Sequence, residues 1–296
     1  MATTTGRRAL GNTGWTVAPI GLGGMPMSIQ GRPGEEQSLA TIDAALGAGI
    51  DLVDTADVYC LDDTELGHNE RLIREGIRKW GGDGRVIVAT KGGCTRPGGR
   101  WGTDGRPAHL RAACERSLKA LGVDCIDLYQ LHAPDSKVPI AESVGAMAEL
   151  QRAGKVRHLG LSNVGPHDLD AARAVATIVS VQNRLSPWDT ASFDNGTMAY
   201  CKQHGLVMLA HSPVGGHGGH ARCADDATMN AIGARHGVSP YQVCLAWLLS
   251  VSPLLLPIPG ASKPSSATSS AGAAGLTLTD ADRAELARAF PAGRVA

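Results

Sequence analysis

The sequence predicts a (β/α)8 TIM barrel with an N-terminal β-hairpin and an extra C-terminal helix. Two observations carry the barrel, and a third excludes its main competitor. Short apolar runs rich in Val, Ile and Leu recur eight times, and segments with helical spacing separate them. That alternation means parallel βα units, because a parallel pairing needs a crossover long enough to hold a helix. The 296 residues of the chain suit a barrel, whose usual size is roughly 250 residues. An open doubly wound sheet would announce a nucleotide site with G-x-G-x-x-G after its first strand, but GLGGMP at 21–26 has proline where the last glycine belongs. No Walker A sequence is present, and no long linker divides the chain, so one domain is expected over residues 1–296.

The elements follow in order. RALGNTGWTVA carries an Asn-Thr-Gly turn between two short runs and reads as a hairpin outside the repeat. The strand runs are APIGL, IDLVDTA, RVIVATK, CIDLYQLH, RHLGLSN, TIVSVQN, LVMLAHS and LLLPIPG. Between them, EEQSLATIDAALGAG and GHNERLIREGIRKWGG stop on glycine, and PAHLRAACERSLKALG opens on proline and closes on glycine. The stretch SKPSSATSSAGAAG at 262–275 reads as a loop with a weak helix. TLTDADRAELARAF has a Thr cap and apolar periodicity, giving one more helix on the outside.

Composition narrows the function classes. Lys plus Arg and Asp plus Glu both number 28, so there is no electrostatic footprint for nucleic acid or an anionic membrane, and a small neutral or anionic ligand is the expected partner. MATTTGRRALG has no apolar run of signal-peptide length, and VCLAWLLSVSPLLLPIPG is cut by Ser and Pro, so a cytoplasmic protein is expected. The seven cysteines are scattered without a C-x-x-C pair, which argues against a disulfide scaffold or zinc. GGHGGH at 215–220 reads as a mobile glycine loop near cofactor or substrate, with no metal expected. GLSNVG has its second glycine one place late for a nucleophile elbow.

In such a barrel the chemistry lies at the C-terminal strand ends, because the interior is packed and only the loops there converge. Asp54 and Tyr59 follow the second run, Lys91 the third, His132 the fourth, Ser162 and Asn163 the fifth, Gln182 and Asn183 the sixth, and His211 and Ser212 the seventh. Asp, Lys, Tyr and His form a coherent proton-transfer group. A phenol is a poor acid near neutrality, a nearby ammonium lowers its pKa, and a carboxylate keeps that ammonium charged and in place. The histidine can hydrogen-bond a polarised oxygen, which suits reversible carbonyl reduction. Asp51 and Asp57 read as caps or solvated loop charges and Glu70 as a helix-start residue; Trp101 is either a plain exposed aromatic or a substrate wall.

The motifs RRALGNTGWTVAPIGLGGM, GIDLVDTADVY, VIVATK, IDLYQLH, GKVRHLGLSN, SVQN, HSPVG and PIPGASKP, in that order, resemble the aldo-keto reductase superfamily over essentially the whole chain. The resemblance implies an NAD(P)H-dependent oxidoreductase acting on an aldehyde or ketone. Asp54, Tyr59, Lys91 and His132 correspond to the catalytic tetrad: Tyr59 donates the proton, Lys91 tunes its acidity, Asp54 pairs with Lys91 and His132 orients the carbonyl. Tyr59, Trp101 and His132 would touch substrate. The implied cofactor is NADPH (NADP+ when oxidised), with NADH possible, lying across the barrel mouth. Ser162, Asn163 and Gln182 would hold its carboxamide, with Gly23, Gly24, Met25 and Asp54 beside it; Ser212, Val214 and Gly215 would meet the pyrophosphate and Lys263 the 2′-phosphate.

Two positions depart from the family pattern. His211 stands where an aromatic, often tyrosine, usually stacks on the nicotinamide, and SSATSS replaces the usual Arg, Glu or Asn near the adenosine. The chain stops shortly after its last helix, which implies an open pocket for a bulky or sugar-like carbonyl compound. A monomer or a homo-oligomer is equally compatible. The resemblance also implies an alternative, a cofactor-binding regulatory or sensor subunit with little turnover, against which the short N-terminus and complete tetrad weigh.

Overall fold

In a computed structural model of the chain, eight parallel strands pair side by side and curl until the first meets the last. The structure describes residues 6–216 and 218–291; the start of MATTTGRRALG, His217 of GGHGGH and residues 292–296 lie outside it. The barrel strands are β1 (Leu22–Gly23), β2 (Leu52–Asp54), β3 (Ile87–Gly92), β4 (Ile126–Leu131), β5 (Val156–Ser162), β6 (Ile178–Arg184), β7 (Val207–His211) and β8 (Leu255–Pro257). Each pairs in parallel with the next. The seam closes through a parallel bridge between Gly23 and Gly260, with Gly21 N donating to Pro257 O at 3.0 Å and Gly23 N to Pro259 O at 2.9 Å.

That seam explains the glycines of GLGGM. A Cβ on Gly23 would lie 2.8 Å from Ile258 O, and one on Gly260 would lie 2.6 Å from a Pro26 side-chain carbon. Two backbones this close leave no room for side chains, so glycine is a condition of closure. β1 is shorter and later than APIGL suggests: Pro19 has no N–H for a ladder, and Ala18 N is taken by Asp51 Oδ1 at 2.7 Å.

The hairpin, Arg8–Ala9 against Thr16–Val17, covers the N-terminal end of the barrel. Its Leu10 and Val17 pack with Leu52, Ala89, Leu128, Val179, Val207, Leu209 and Leu256 in one buried interior cluster. The Arg8 guanidinium fastens it by donating to Leu249 O and Ser252 O at 2.6 Å each, and to Leu255 O.

Helices α1 (Glu35–Gly47), α2 (His68–Trp80), α3 (Pro107–Leu121), α4 (Ile140–Arg152) and α5 (Pro166–Arg173) form the outer layer, one after each of the first five strands. The second half adds α6 (Ala191–Asp194), α7 (Thr197–His204), α8 (Ala221–Asp225), α9 (Ala227–His236), α10 (Pro240–Val251), α11 (Pro264–Gly272) and α12 (Asp280–Ala289). Sequence capping signals hold where they can be checked. Thr279 and Asp282 form a reciprocal capping box at α12, as Ser239 and Gln242 do at α10. The 262–275 stretch is more regular than its composition implies. Pro264 starts α11, and buried Ala267 and Ala273 pack into the cluster that includes Ile42 and Leu46 of α1, so tertiary burial overrides a serine-rich sequence.

No described helix is long and apolar enough to cross a membrane. All seven cysteines are free thiols, six of them buried.

Two glycine substitutions test the seam. Gly23→Ala is expected to destabilise the fold by about 1–3 kcal/mol through overpacking. Gly145→Ala, inside α4 with open space around its Cβ position, is expected to stabilise by about 1 kcal/mol. Urea unfolding midpoints check both signs.

Candidate active site

The cluster is built from alternate strands. Asp54 on β2, Gln130 on β4 and Gln182 on β6 point into one interior layer, the arrangement expected when a barrel is filled by residues from every second strand. Asp54 Oδ1 accepts from Gln182 Nε2 at 2.7 Å and Gln130 Nε2 at 3.4 Å. Its Oδ2 accepts from Lys91 Nζ at 2.6 Å. Lys91 is fully buried, and its other two protons go to Thr55 O at 2.8 Å and Tyr59 OH at 3.0 Å. Three donors thus meet three acceptors.

The turn after β2 places Tyr59. Thr55 N donates to Ala89 O at 2.8 Å, Asp57 N to Lys91 O at 3.3 Å and Gly67 N to Asp57 O at 2.7 Å. Asn69, buried at the start of α2, donates to Gly24 O at 2.9 Å and accepts from Thr55 Oγ1 at 2.6 Å, joining the loops that follow β1 and β2. Gly24 N donates to Asp54 O at 2.8 Å, and Met25 packs against the cluster containing Tyr59. The His132 ring meets the Tyr59 ring edge-on at 5.6 Å, and Trp101, half exposed at 52%, lies edge-on to both at 6.5 and 6.1 Å.

The electrostatics assign protons. For Lys91, burial is the largest influence and pushes the pKa down, but Asp54 and then Tyr59 outweigh it and the net is upward, so the side chain is an ammonium. His132 is driven well below its ordinary value by burial first, then by the Lys91 charge and, least, by the neighbouring His211. It is neutral at pH 7. His211 is pushed down to about 4 by burial, then by Lys91 and Arg184. Tyr59 departs from expectation. Lys91 does lower its pKa, but burial raises it more, and the phenol lies above its ordinary value. It therefore holds its proton at neutral pH.

Around this core, Asn163 Nδ2 donates to His132 O at 2.9 Å and Ser162 Oγ at 3.1 Å. Asn163 (φ 60°) and Ser212 (φ 55°) are the only described non-glycine residues with positive φ, each a conformation that costs about 1–3 kcal/mol. Ser212 Oγ lies 3.1 Å from His211 Nδ1. Beyond Val214, Arg184 donates to Gly215 O at 2.8 Å and Gly219 N to Gly216 O at 3.1 Å. Lys263 is exposed at the N-cap of α11, with no hydrogen bond to the Asp54, Lys91 and Tyr59 group.

The family model for the Aldo/keto reductase family matches residues 19–290. The chain belongs to the aldo/keto reductase family. Among curated relatives it is 33% identical to aldo-keto reductase str7 of Strobilurus tenacellus over 89% of this chain and 86% of that one. It is 30% identical to probable aldo-keto reductase 1 of Glycine max over 97% and 89%. A glycerol dehydrogenase from Gluconobacter oxydans superposes with a TM-score of 0.83 at 27% identity, covering 98% and 97% of the two chains. An aldo/keto reductase from Klebsiella pneumoniae, solved with NADP and acetate, gives 0.80 at 26%, covering 96% and 95%. This aldo/keto reductase is thus an oxidoreductase built on the family barrel.

The structure brings Asp54, Tyr59, Lys91, His132, Gln182 and Trp101 together as a group. Asp57 is a correction. Read from the sequence as a cap or a solvated loop charge, it is fully buried with Oδ1 unpartnered, and Oδ2 stands 3.4 Å from Arg116. Burial, and then the neighbouring Glu70, raise its pKa well above normal. Glu70 is also buried and accepts from Thr90 Oγ1 at 2.6 Å. Asp51, read from the sequence as a cap or a solvated loop charge, caps no described helix: it pairs with Arg7 at 2.6 Å and accepts from Ala18 N at 2.7 Å. Sequence reasoning missed Gln130 and Arg96. Gln130 shares the inward parity of His132 two residues on, a signal that strand alternation offers.

Asp57 makes a pH prediction. A carboxyl whose pKa is raised on folding contributes stability that is complete below its unfolded pKa and is lost as pH rises through the folded one. Asp57→Asn should therefore gain stability relative to the parent as pH rises above the ordinary carboxylate range, with the gain shrinking in acid. Urea unfolding at acidic and neutral pH checks this; a pH-independent difference contradicts it.

Proposed function

We propose that this aldo/keto reductase reduces an aldehyde or ketone with NADPH, Tyr59 delivering the proton to the carbonyl oxygen. The observation that carries the reading is the buried Lys91 ammonium, shared between Asp54 Oδ2 at 2.6 Å and Tyr59 OH at 3.0 Å. A protonated phenol beside a fixed cation can give up its proton and have the resulting phenolate stabilised where it forms. Neutral His132 donates or accepts a hydrogen bond without competing as the acid, and so orients the carbonyl. Trp101 walls the substrate side.

Klebsiella pneumoniae relatives solved with NADP and with NADPH support the cofactor. When bound, the nicotinamide supplies the hydride. The donor set fits its carboxamide. Both amide protons of Gln182 are engaged, by Asp54 and by Gln130 Oε1 at 3.4 Å, so Gln182 offers its oxygen. Asn163 has likewise committed its amide protons. Ser162 Oγ accepts from Asn163 and keeps its own proton to donate. Gly23, Gly24 and Met25 adjoin this side, and His211 replaces the usual stacked aromatic with a smaller ring. Ser212, Val214 and Gly215 offer backbone and small side chains to the pyrophosphate, and exposed Lys263 the one charge assigned to the 2′-phosphate.

Tyr59→Phe is expected to lower kcat by about 10²-fold or more while leaving NADPH affinity nearly intact. Steady-state rates and a fluorescence titration of NADPH check it, and a variant that still reduces carbonyls at the parent rate removes the mechanism. Lys263→Ala is expected to weaken NADPH more than NADH; equal losses would assign the 2′-phosphate elsewhere.

A further inference from the structure

Arg96 is among the largest almost fully buried side chains of the described residues, at 2% exposure, and the reduction chemistry does not use it. Its acceptors are all neutral oxygens: Nη2 donates to Gln30 Oε1 at 3.0 Å, Cys60 O at 3.2 Å and Leu61 O at 3.3 Å. Its Nε is buried without a partner. A guanidinium held this way is costly, so its position calls for a physical reason.

The reason lies in a small hairpin beyond β3. Cys94–Thr95 pairs antiparallel with Gly102–Thr103, Thr95 opposite Gly102. The next positions outward on the two arms are Arg96 and Trp101, and the guanidinium carbon lies over the indole at 4.2 Å. Stacking on one face limits the rotation of a half-exposed ring. The hairpin tip is in turn pressed onto the Tyr59 loop, Gly98 N donating to Asp63 Oδ1 at 3.2 Å and a Cβ on Gly99 placed 3.0 Å from Leu61 O, while Gln30 of the loop after β1 donates to the same Leu61 O at 3.1 Å. Arg96 thus ties the loops after β1, β2 and β3 at one point.

We infer that Arg96 is a positioning residue that sets substrate selectivity, by fixing Trp101 against Tyr59 and His132 as a rigid wall for carbonyl compounds large enough to reach it. The inference rests on the proposed reduction. Arginine suits the role better than lysine because one planar group can stack with its face while its edge donates to several oxygens.

The test is a double-mutant cycle on Arg96→Met and Trp101→Ala, read two ways. With NADPH and a bulky aryl aldehyde, 4-nitrobenzaldehyde, each single variant is expected to raise KM about tenfold, and the double variant should do no worse than Trp101→Ala alone. With propanal, Arg96→Met should change KM far less, and NADPH affinity should not move. Additive losses, or equal losses for both aldehydes, overturn the proposal. Urea unfolding of the same cycle without substrate gives a readout independent of turnover: Arg96 and Trp101 should be coupled, and zero coupling overturns the tie. If Arg96→Met fails to fold, Arg96→Lys replaces it, keeping the charge and losing the planar stack, with the same pattern expected at smaller size. A parent protein that turns over neither aldehyde strikes the proposed reaction itself, and the unfolding cycle still decides on Arg96.

Discussion

The rest of the site depends on one constraint, the complete burial of a charged lysine. An ammonium in the interior of a barrel is tolerated only when each N–H finds an acceptor and a counter-charge is close, and removing the partner of a buried pair typically costs about 3–5 kcal/mol. For Lys91 this dictates the neighbourhood. A carboxylate must end the adjacent strand, a backbone carbonyl must turn inward after it, and a phenol must come back over the top. The chain meets these demands with consecutive features of one turn, Asp54, Thr55 and Tyr59. The spacing of aspartate and tyrosine in DLVDTADVY is therefore a solvation requirement as much as a chemical one.

The same cation organises the charges around it. It depresses His132 and His211, already disfavoured as cations by burial, and opposes the rise that burial imposes on Tyr59. The outcome is a division of labour at neutral pH: one fixed positive charge, two neutral imidazoles and one phenol that keeps its proton. Asn163 and Ser212, held in the left-handed region after β5 and β7 on either side of β6, show that the backbone gives up some stability to shape this side of the barrel.

Much of this was legible in the sequence because it depends on local pattern. Strand and helix alternate in the chain as they do in space, the hairpin carries its turn residues, and Asp54, Tyr59, Lys91 and His132 end their runs as polar punctuation. What stayed hidden depends on which segments fold over which. The seam glycines serve closure because β8 arrives from the far end of the chain. Asp57 looked like a loop charge until α2 and α3 covered it, and α11 owes its regularity to α1 beneath it. Arg96 sits in a loop rich in glycine, with nothing in the local pattern to mark it as buried, and only the docking of three loops buries it. The Tyr59 shift was misjudged because burial, which no short motif reports, outweighs the nearby cation.

The protonation of Lys91 is the most direct test of the central claim. Side-chain NMR of protein labelled at lysine Nζ and Cε, with the Lys91 signal assigned by its loss in Lys91→Met, follows that one group across pH. The account predicts that it remains an ammonium from about pH 6 to beyond the ordinary lysine range near 10. A titration step close to neutrality would contradict it, because an amine that loses its proton there cannot be the fixed charge around which Asp54 and Tyr59 are arranged.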